Sequence, residues 1–225
     1  MKLSMNYKMK SVVVAVAVVA VWSFGGCESG QSNHKPYAQQ TDIDTAFAAG
    51  AGRAPTARTL HQMAVVLAAQ GKDAEAHHVL MRLIETYPSF PPAYSELAAL
   101  HMRHNRPEEA KAALNSGLAL KGDDPVLHNN LGMCYLAEKN YAQALGEFDK
   151  AAKANPSNAR YEANRALTMG LMGDYDGCLS SYLKILPPGE AHFNLGVICE
   201  SRNDSERAAK EYAQAKLLGF EEDDD

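Results

Sequence analysis

Residues 125–158 read PVLHNNLGMCYLAEKNYAQALGEFDKAAKANPSN, and their spacing decides the fold. Leu131 and Tyr135 stand four apart; Tyr141, Ala144, Phe148 and Ala151 follow at steps of three and four. Such steps place side chains on one face of an α-helix, so the stretch predicts two amphipathic helices. Asn140 lies where the second helix needs an N-cap, and Pro156 follows that helix because it cannot continue it. Pro125 opens the first helix, where its missing N–H costs nothing. The segment Asn130-Leu131-Gly132-Met133-Cys134-Tyr135 returns in weaker form as Asn194-Leu195-Gly196-Val197-Ile198-Cys199.

Extending that match outward divides the chain into units at 57–90, 91–124, 125–158, 159–188 and 189–222, whose starts lie 34, 34, 34 and 30 residues apart. Gly71, Asn105, Gly173 and Asn203 fall between the two helices of a unit, where a left-handed residue often ends a helix. Asp174 and Asp204, like Asn140, then stand at N-cap positions. Small residues (Gly132, Ala144, Ala166, Gly196, Ala208) mark close approach of two helices. No unit can bury its apolar face alone, so stacking supplies the core.

The order Leu131-Gly132, Tyr135, Ala144, Phe148, Pro156 resembles the tetratricopeptide repeat, and the resemblance extends over 166 of 225 residues, 57 to 222. It implies an all-α fold, a right-handed α-solenoid of five helix-turn-helix units. The fourth unit departs from the pattern. It is four residues short, ends in Pro187-Pro188 and carries Arg165 where leucine is usual, which predicts disturbed packing and a weak joint. The first two units hold Leu67 and His101 in the aromatic column. The last helix, from Ser205 to Leu218, is charged through Glu206, Arg207, Lys210 and Glu211, and is expected to act as its own cap.

Residues 1–26 read as an export signal. Lys2, Lys8 and Lys10 precede an apolar run of eleven residues, Val12 to Trp22, where about 20 are needed to span a bilayer. The run ends in Phe24-Gly25-Gly26-Cys27, which resembles a bacterial lipobox with phenylalanine where leucine is favoured. The resemblance implies cleavage before Cys27 and acylation of its thiol, so that lipid and not a spanning helix holds the protein at a membrane. Glu28 after the cysteine points to the periplasmic face of the outer membrane. Residues 27–56 form the lipidated cysteine and a flexible linker, with one short helix expected over 41–49 around Ile43 and Phe47. Residues 223–225 form an acidic tail.

The chain is 46% apolar and 22% charged, an ordinary folded composition. Loss of the three signal lysines takes the formal charge from −5 to −8, which argues against a nucleic-acid partner. No glycine-rich phosphate loop, His-Glu-x-x-His helix or Gly-x-Ser-x-Gly elbow is present, so neither an enzyme nor a cofactor site is expected. His101 and His104, three apart on one helix, could hold a metal between them, but the sequence places no third ligand; packing is the preferred reading. Cys134, Cys178 and Cys199 sit at helix positions suited to small hydrophobes, with a Cys178–Cys199 bridge as the alternative.

One column calls for more than packing. Asn130, Asn164 and Asn194 precede the Leu-Gly position, or its counterpart, in three successive units, with Gln62 and Glu96 in the first two. This resembles the asparagine ladder in the repeat domain of O-linked N-acetylglucosamine transferase, and implies a concave groove that grips an extended peptide backbone. A carboxamide can donate to a carbonyl and accept from an N–H together. Met133, Leu167, Phe193 and Val197 would supply apolar contacts. The expected function is a non-catalytic, membrane-tethered scaffold binding another cell-envelope protein or peptide segment. Pilus-assembly or secretion lipoproteins of Tad-like or pilotin-like kind, and a self-associating structural protein, are the alternatives.

Overall fold

The computed structural model describes residues 55–220. The export signal, Cys27, the helix expected over 41–49 and the acidic tail lie outside the described residues. Among those described there are ten helices and no strand. They are α1 (Ala57–Ala69), α2 (Asp73–Thr86), α3 (Pro91–Arg103), α4 (Pro107–Leu120), α5 (Pro125–Ala137), α6 (Tyr141–Ala154), α7 (Ala159–Met172), α8 (Tyr175–Tyr182), α9 (Pro188–Ser201) and α10 (Ser205–Leu217).

One device repeats along the whole chain. The first helix of each pair ends on a residue with positive φ: Gly71 (74°), Asn105 (55°), Lys139 (60°), Gly173 (95°) and Asn203 (62°). The following N–H then turns back to a carbonyl five residues earlier. Lys72 reaches Leu67 at 2.9 Å, Arg106 reaches His101 at 2.9 Å, Asn140 reaches Tyr135 at 2.8 Å, Asp174 reaches Met169 at 3.0 Å and Asp204 reaches Cys199 at 2.9 Å. This closure satisfies carbonyls that the helix end would otherwise orphan. Its members repeat at intervals of 34, 34, 34 and 30, so the period read from side chains is also a period of the backbone.

Side-chain caps are less regular. Asp174 accepts from Gly177 N at 2.9 Å and Asp204 from Arg207 N at 3.1 Å. Asn140 makes no cap bond, and its amide nitrogen donates to Gln143. Asp124 caps α5, accepting from Val126 N at 3.0 Å and Leu127 N at 3.2 Å.

Contacts divide the described chain into two compact units, 55–134 and 135–220. In the first, α1 packs on α2 and α3 on α4. Leu60, Val79, Leu80, Leu83, Leu97 and Leu100 form its core, with Tyr87 and Phe90 packed against it. Farther along, Gly117 lets α4 approach Tyr94 and Leu127: a Cβ there would lie 2.9 Å from each side chain.

In the second unit α7 packs on α6, α8 and α9, and α9 on α10. Phe148, Tyr182, Leu195, Cys178 and Cys199 are fully buried. The four missing residues fall in α8, which has 8 residues, while α2, α4, α6 and α10 have 13 or 14. Arg165 does not disturb this packing. Its guanidinium joins three helices, reaching Asp149 of α6 at 2.6 Å, Glu162 of α7 at 3.0 Å and Ser181 of α8 at 3.1 Å.

Candidate functional site

Asn164 and Asn194 lie in the second unit, on the adjacent helices α7 and α9; Asn130 lies on α5 in the first. The three differ in surroundings. Asn130 is half-buried and accepts from the Asn129 amide at 3.3 Å. Asn164 is half-buried, and its backbone carbonyl accepts from Thr168 Oγ1 at 2.7 Å. Asn194 is only 3% exposed, and its Oδ1 is sealed from solvent with no hydrogen-bond partner. An unsatisfied amide oxygen of this kind costs about 1–3 kcal/mol. It is the one carboxamide oxygen in the described residues left in that state.

The apolar residues around the column are not equally available. Leu167 is 7% exposed and belongs to the core. Phe193 is half-buried, its ring 4.5 Å from that of Phe220 and 5.5 Å from that of Tyr212. Val197, one turn on, and Met133 on α5 are half-buried. The Phe220 contact was not visible in the repeat pattern, since it comes from the turn after α10.

Beside Asn194 on α9 lies a feature the sequence reading missed. Glu190, one turn earlier on the same face, is 7% exposed. Its carboxylate makes no hydrogen bond or ion pair with any described residue. A glutamate in the first turn of a helix looks like ordinary dipole complementation, which hides it. His192, two residues on, is turned away toward α10, where its Nδ1 meets Glu211 Oε2 at 2.6 Å; Arg207 Nε meets the other oxygen at 2.6 Å.

The histidines of the first unit form no metal centre, and no group of three or more potential ligands able to hold a metal occurs among the described residues. The His101 ring sits edge-on to His77 with centroids 5.9 Å apart. His104 is bound to Asp73 at 2.8 Å, a carboxylate that Arg103 also holds at 2.9 Å. Burial lowers the pKa of both His77 and His101; the His101 and Arg106 charges add to it at His77, while at His101 the Glu109 carboxylate opposes it only in part. Cys134, Cys178 and Cys199 are buried free thiols. Burial pushes Cys178 up to about 12, with Cys199 adding to the effect, so it is inert as a nucleophile at neutral pH.

Known proteins bear on the fold. Residues 95–159 match the sequence profile of the tetratricopeptide repeat family. The chain is 27% identical over 127 residues to anaphase-promoting complex subunit 3 of Schizosaccharomyces pombe, covering 55% of this chain and 19% of that protein. It is 26% identical over 151 residues to protein O-mannosyl-transferase TMTC3 of Homo sapiens, covering 63% of this chain and 16% of that protein. The matches thus span less than a fifth of each relative's length. Among solved structures it is similar to MamA, with TM-score 0.58 and 16% identity, covering 72% of this chain and 91% of that one. It is also similar to YrrB, described as a repeat protein with an unusual peptide-binding site, with TM-score 0.56 and 18% identity, covering 73% of this chain and 87% of that one. The helix pairs, the recurring turn closure and these likenesses together make the fold an all-α tetratricopeptide-repeat solenoid, with the family's own profile matched at residues 95–159.

Proposed function

We propose that this chain is a non-catalytic scaffold that holds an extended peptide segment of another protein along α7 and α9, with Asn164 and Asn194 as backbone clamps. The observation that carries the reading is the buried, unpartnered Oδ1 of Asn194. That oxygen is sealed in the unliganded chain, so the Asn194 side chain turns outward as the peptide arrives, and a ligand N–H then supplies the missing bond. Two clamps at about 0.5–1.5 kcal/mol each give at most about 3 kcal/mol, short of millimolar affinity. Val197 and the Phe193 edge therefore have to contribute apolar area.

A tether would make so weak a site effective. The lipid on Cys27, in the reading of residues 1–27 given above, holds the scaffold at the envelope, on the periplasmic face of the outer membrane. If residues 28–56 form the linker that their composition suggests, they would span on the order of 30 Å and raise the local concentration of membrane-bound partners. Pilus assembly or secretion would be one setting for this activity. Self-association is the rival reading, and light scattering at several concentrations separates them.

The test is an array of random 12-residue peptides probed with the full chain. Peptides that bind should lose about fivefold in affinity for each of Asn164→Ala and Asn194→Ala, with unchanged circular dichroism melts. Equal binding by the double variant would move the site elsewhere.

A further inference from the structure

We propose that Glu190 is the receptor for a lysine or arginine side chain on the bound peptide, an inference that rests on the peptide-binding reading above and gives that site its chemical selectivity. Glu190 and Asn194 are four apart on α9 and face one way. Both are more than nine-tenths buried, and both offer acceptors without a donor among the described residues. The Asn194 oxygen is fully sealed, whereas the Glu190 residue keeps 7% exposure. A carboxylate whose stem is packed and whose head lacks a counter-ion costs free energy unless something cationic completes it.

The described cations do not do so. Arg165 and Lys184 are held by Glu162, Arg207 by Glu211 and Lys210 by Glu206. Arg160, in the first turn of α7, is exposed and makes no ion pair with Glu190. A Cβ on Gly189 would lie 3.0 Å from Phe220 Cβ, so the end of the described chain rests against the first turn of α9. An acceptor pair that no described cation completes selects a cation and rejects an acid.

The same peptide array provides the test. Binders should be enriched in lysine or arginine. Replacing the engaged Lys or Arg by Gln in a fluorescein-labelled binder should weaken binding to the wild-type chain at least tenfold, as read by anisotropy. In Glu190→Gln the original and replaced peptides should bind alike, and in Glu190→Asp part of the difference should persist. Should peptides bind with no preference for basic residues, or keep the preference in Glu190→Gln, this inference falls while the scaffold reading stands. If no peptide binds the wild-type chain at millimolar concentration, both fall. Glu190→Gln is nearly isosteric, and its circular dichroism melt checks that the fold is retained.

Discussion

Arg165 on α7 donates from Nε to Asp149 Oδ1 on α6 at 2.6 Å, and the same guanidinium is bound by Glu162 and by Ser181 of the shortened helix α8. The Ser181 bond ties the shortened α8 to α7, and the Asp149 bond ties α7 to α6. Arg165→Leu restores the residue usual in that column, yet it should cost about 1–2 kcal/mol in urea unfolding at pH 7. Burial pushes the Glu162 carboxyl up, but the Lys184 hydrogen bond and the Arg165 and Lys184 charges outweigh it and hold it below its ordinary value of 4.5. A depressed folded-state value gives stability that is complete above the unfolded value and is lost as pH falls through the folded one. The difference between wild type and Arg165→Leu should therefore shrink at pH 3. A variant as stable as wild type at pH 7 would mean that the guanidinium only decorates the surface.

Lys139 is the one turn residue of the five whose side chain is ill suited to its backbone. Its φ is 60°, where Gly or Asn stands at every equivalent turn. Lys139→Gly should stabilise the chain by about 0.5–1 kcal/mol, since relief of left-handed strain exceeds the added unfolded-state entropy. A raised melting temperature checks this, and a lowered one would contradict it.

Gly117 and Gly146 make a matched pair. A methyl at 117 would come within 2.9 Å of Tyr94 Cγ and Leu127 Cδ1, while one at 146 meets nothing within 4 Å. Gly117→Ala should destabilise by about 1–3 kcal/mol through overpacking. Gly146→Ala should instead stabilise by about 0.5–1 kcal/mol, because alanine is the better helix former. Chemical unfolding of both variants separates the two effects.

Cys27→Ser tests the tether. The substitution should shift the protein from the membrane to the soluble fraction and stop cleavage before residue 27. Retention in the membrane fraction with cleavage at the same bond would remove the lipid from the account.

The fold was legible because the 34-residue period is written twice, in side-chain columns and in turn residues. Gly71, Asn105, Gly173 and Asn203 were identifiable as left-handed positions from residue type alone. Lys139 was not, since nothing in a lysine signals positive φ; only the period locates it. Arg165 was misread for a related reason. A column shows which residue is unusual, but not that Asp149 and Ser181, both sixteen residues away, stand ready to bind it. The site was partly legible. Periodicity selected the asparagine column, but burial distinguishes Asn194 from Asn130, and no pattern foretold that Phe220 would cover the Phe193 ring. Glu190 escaped notice because its importance lies in the absence of a partner, which only coordinates reveal.

The central claim is that an extended peptide lies along α7 and α9, and intermolecular nuclear Overhauser effects test it most directly. The isotope-labelled full chain would be mixed with an unlabelled array-selected peptide, and filtered spectra would record which protein protons approach it. Contacts from the side-chain amides of Asn164 and Asn194 and the methyls of Val197 to successive peptide residues are the expected result. Contacts confined to α8 and α10, with the Asn194 amide unshifted, would contradict it and place the partner on the opposite faces of those helix pairs.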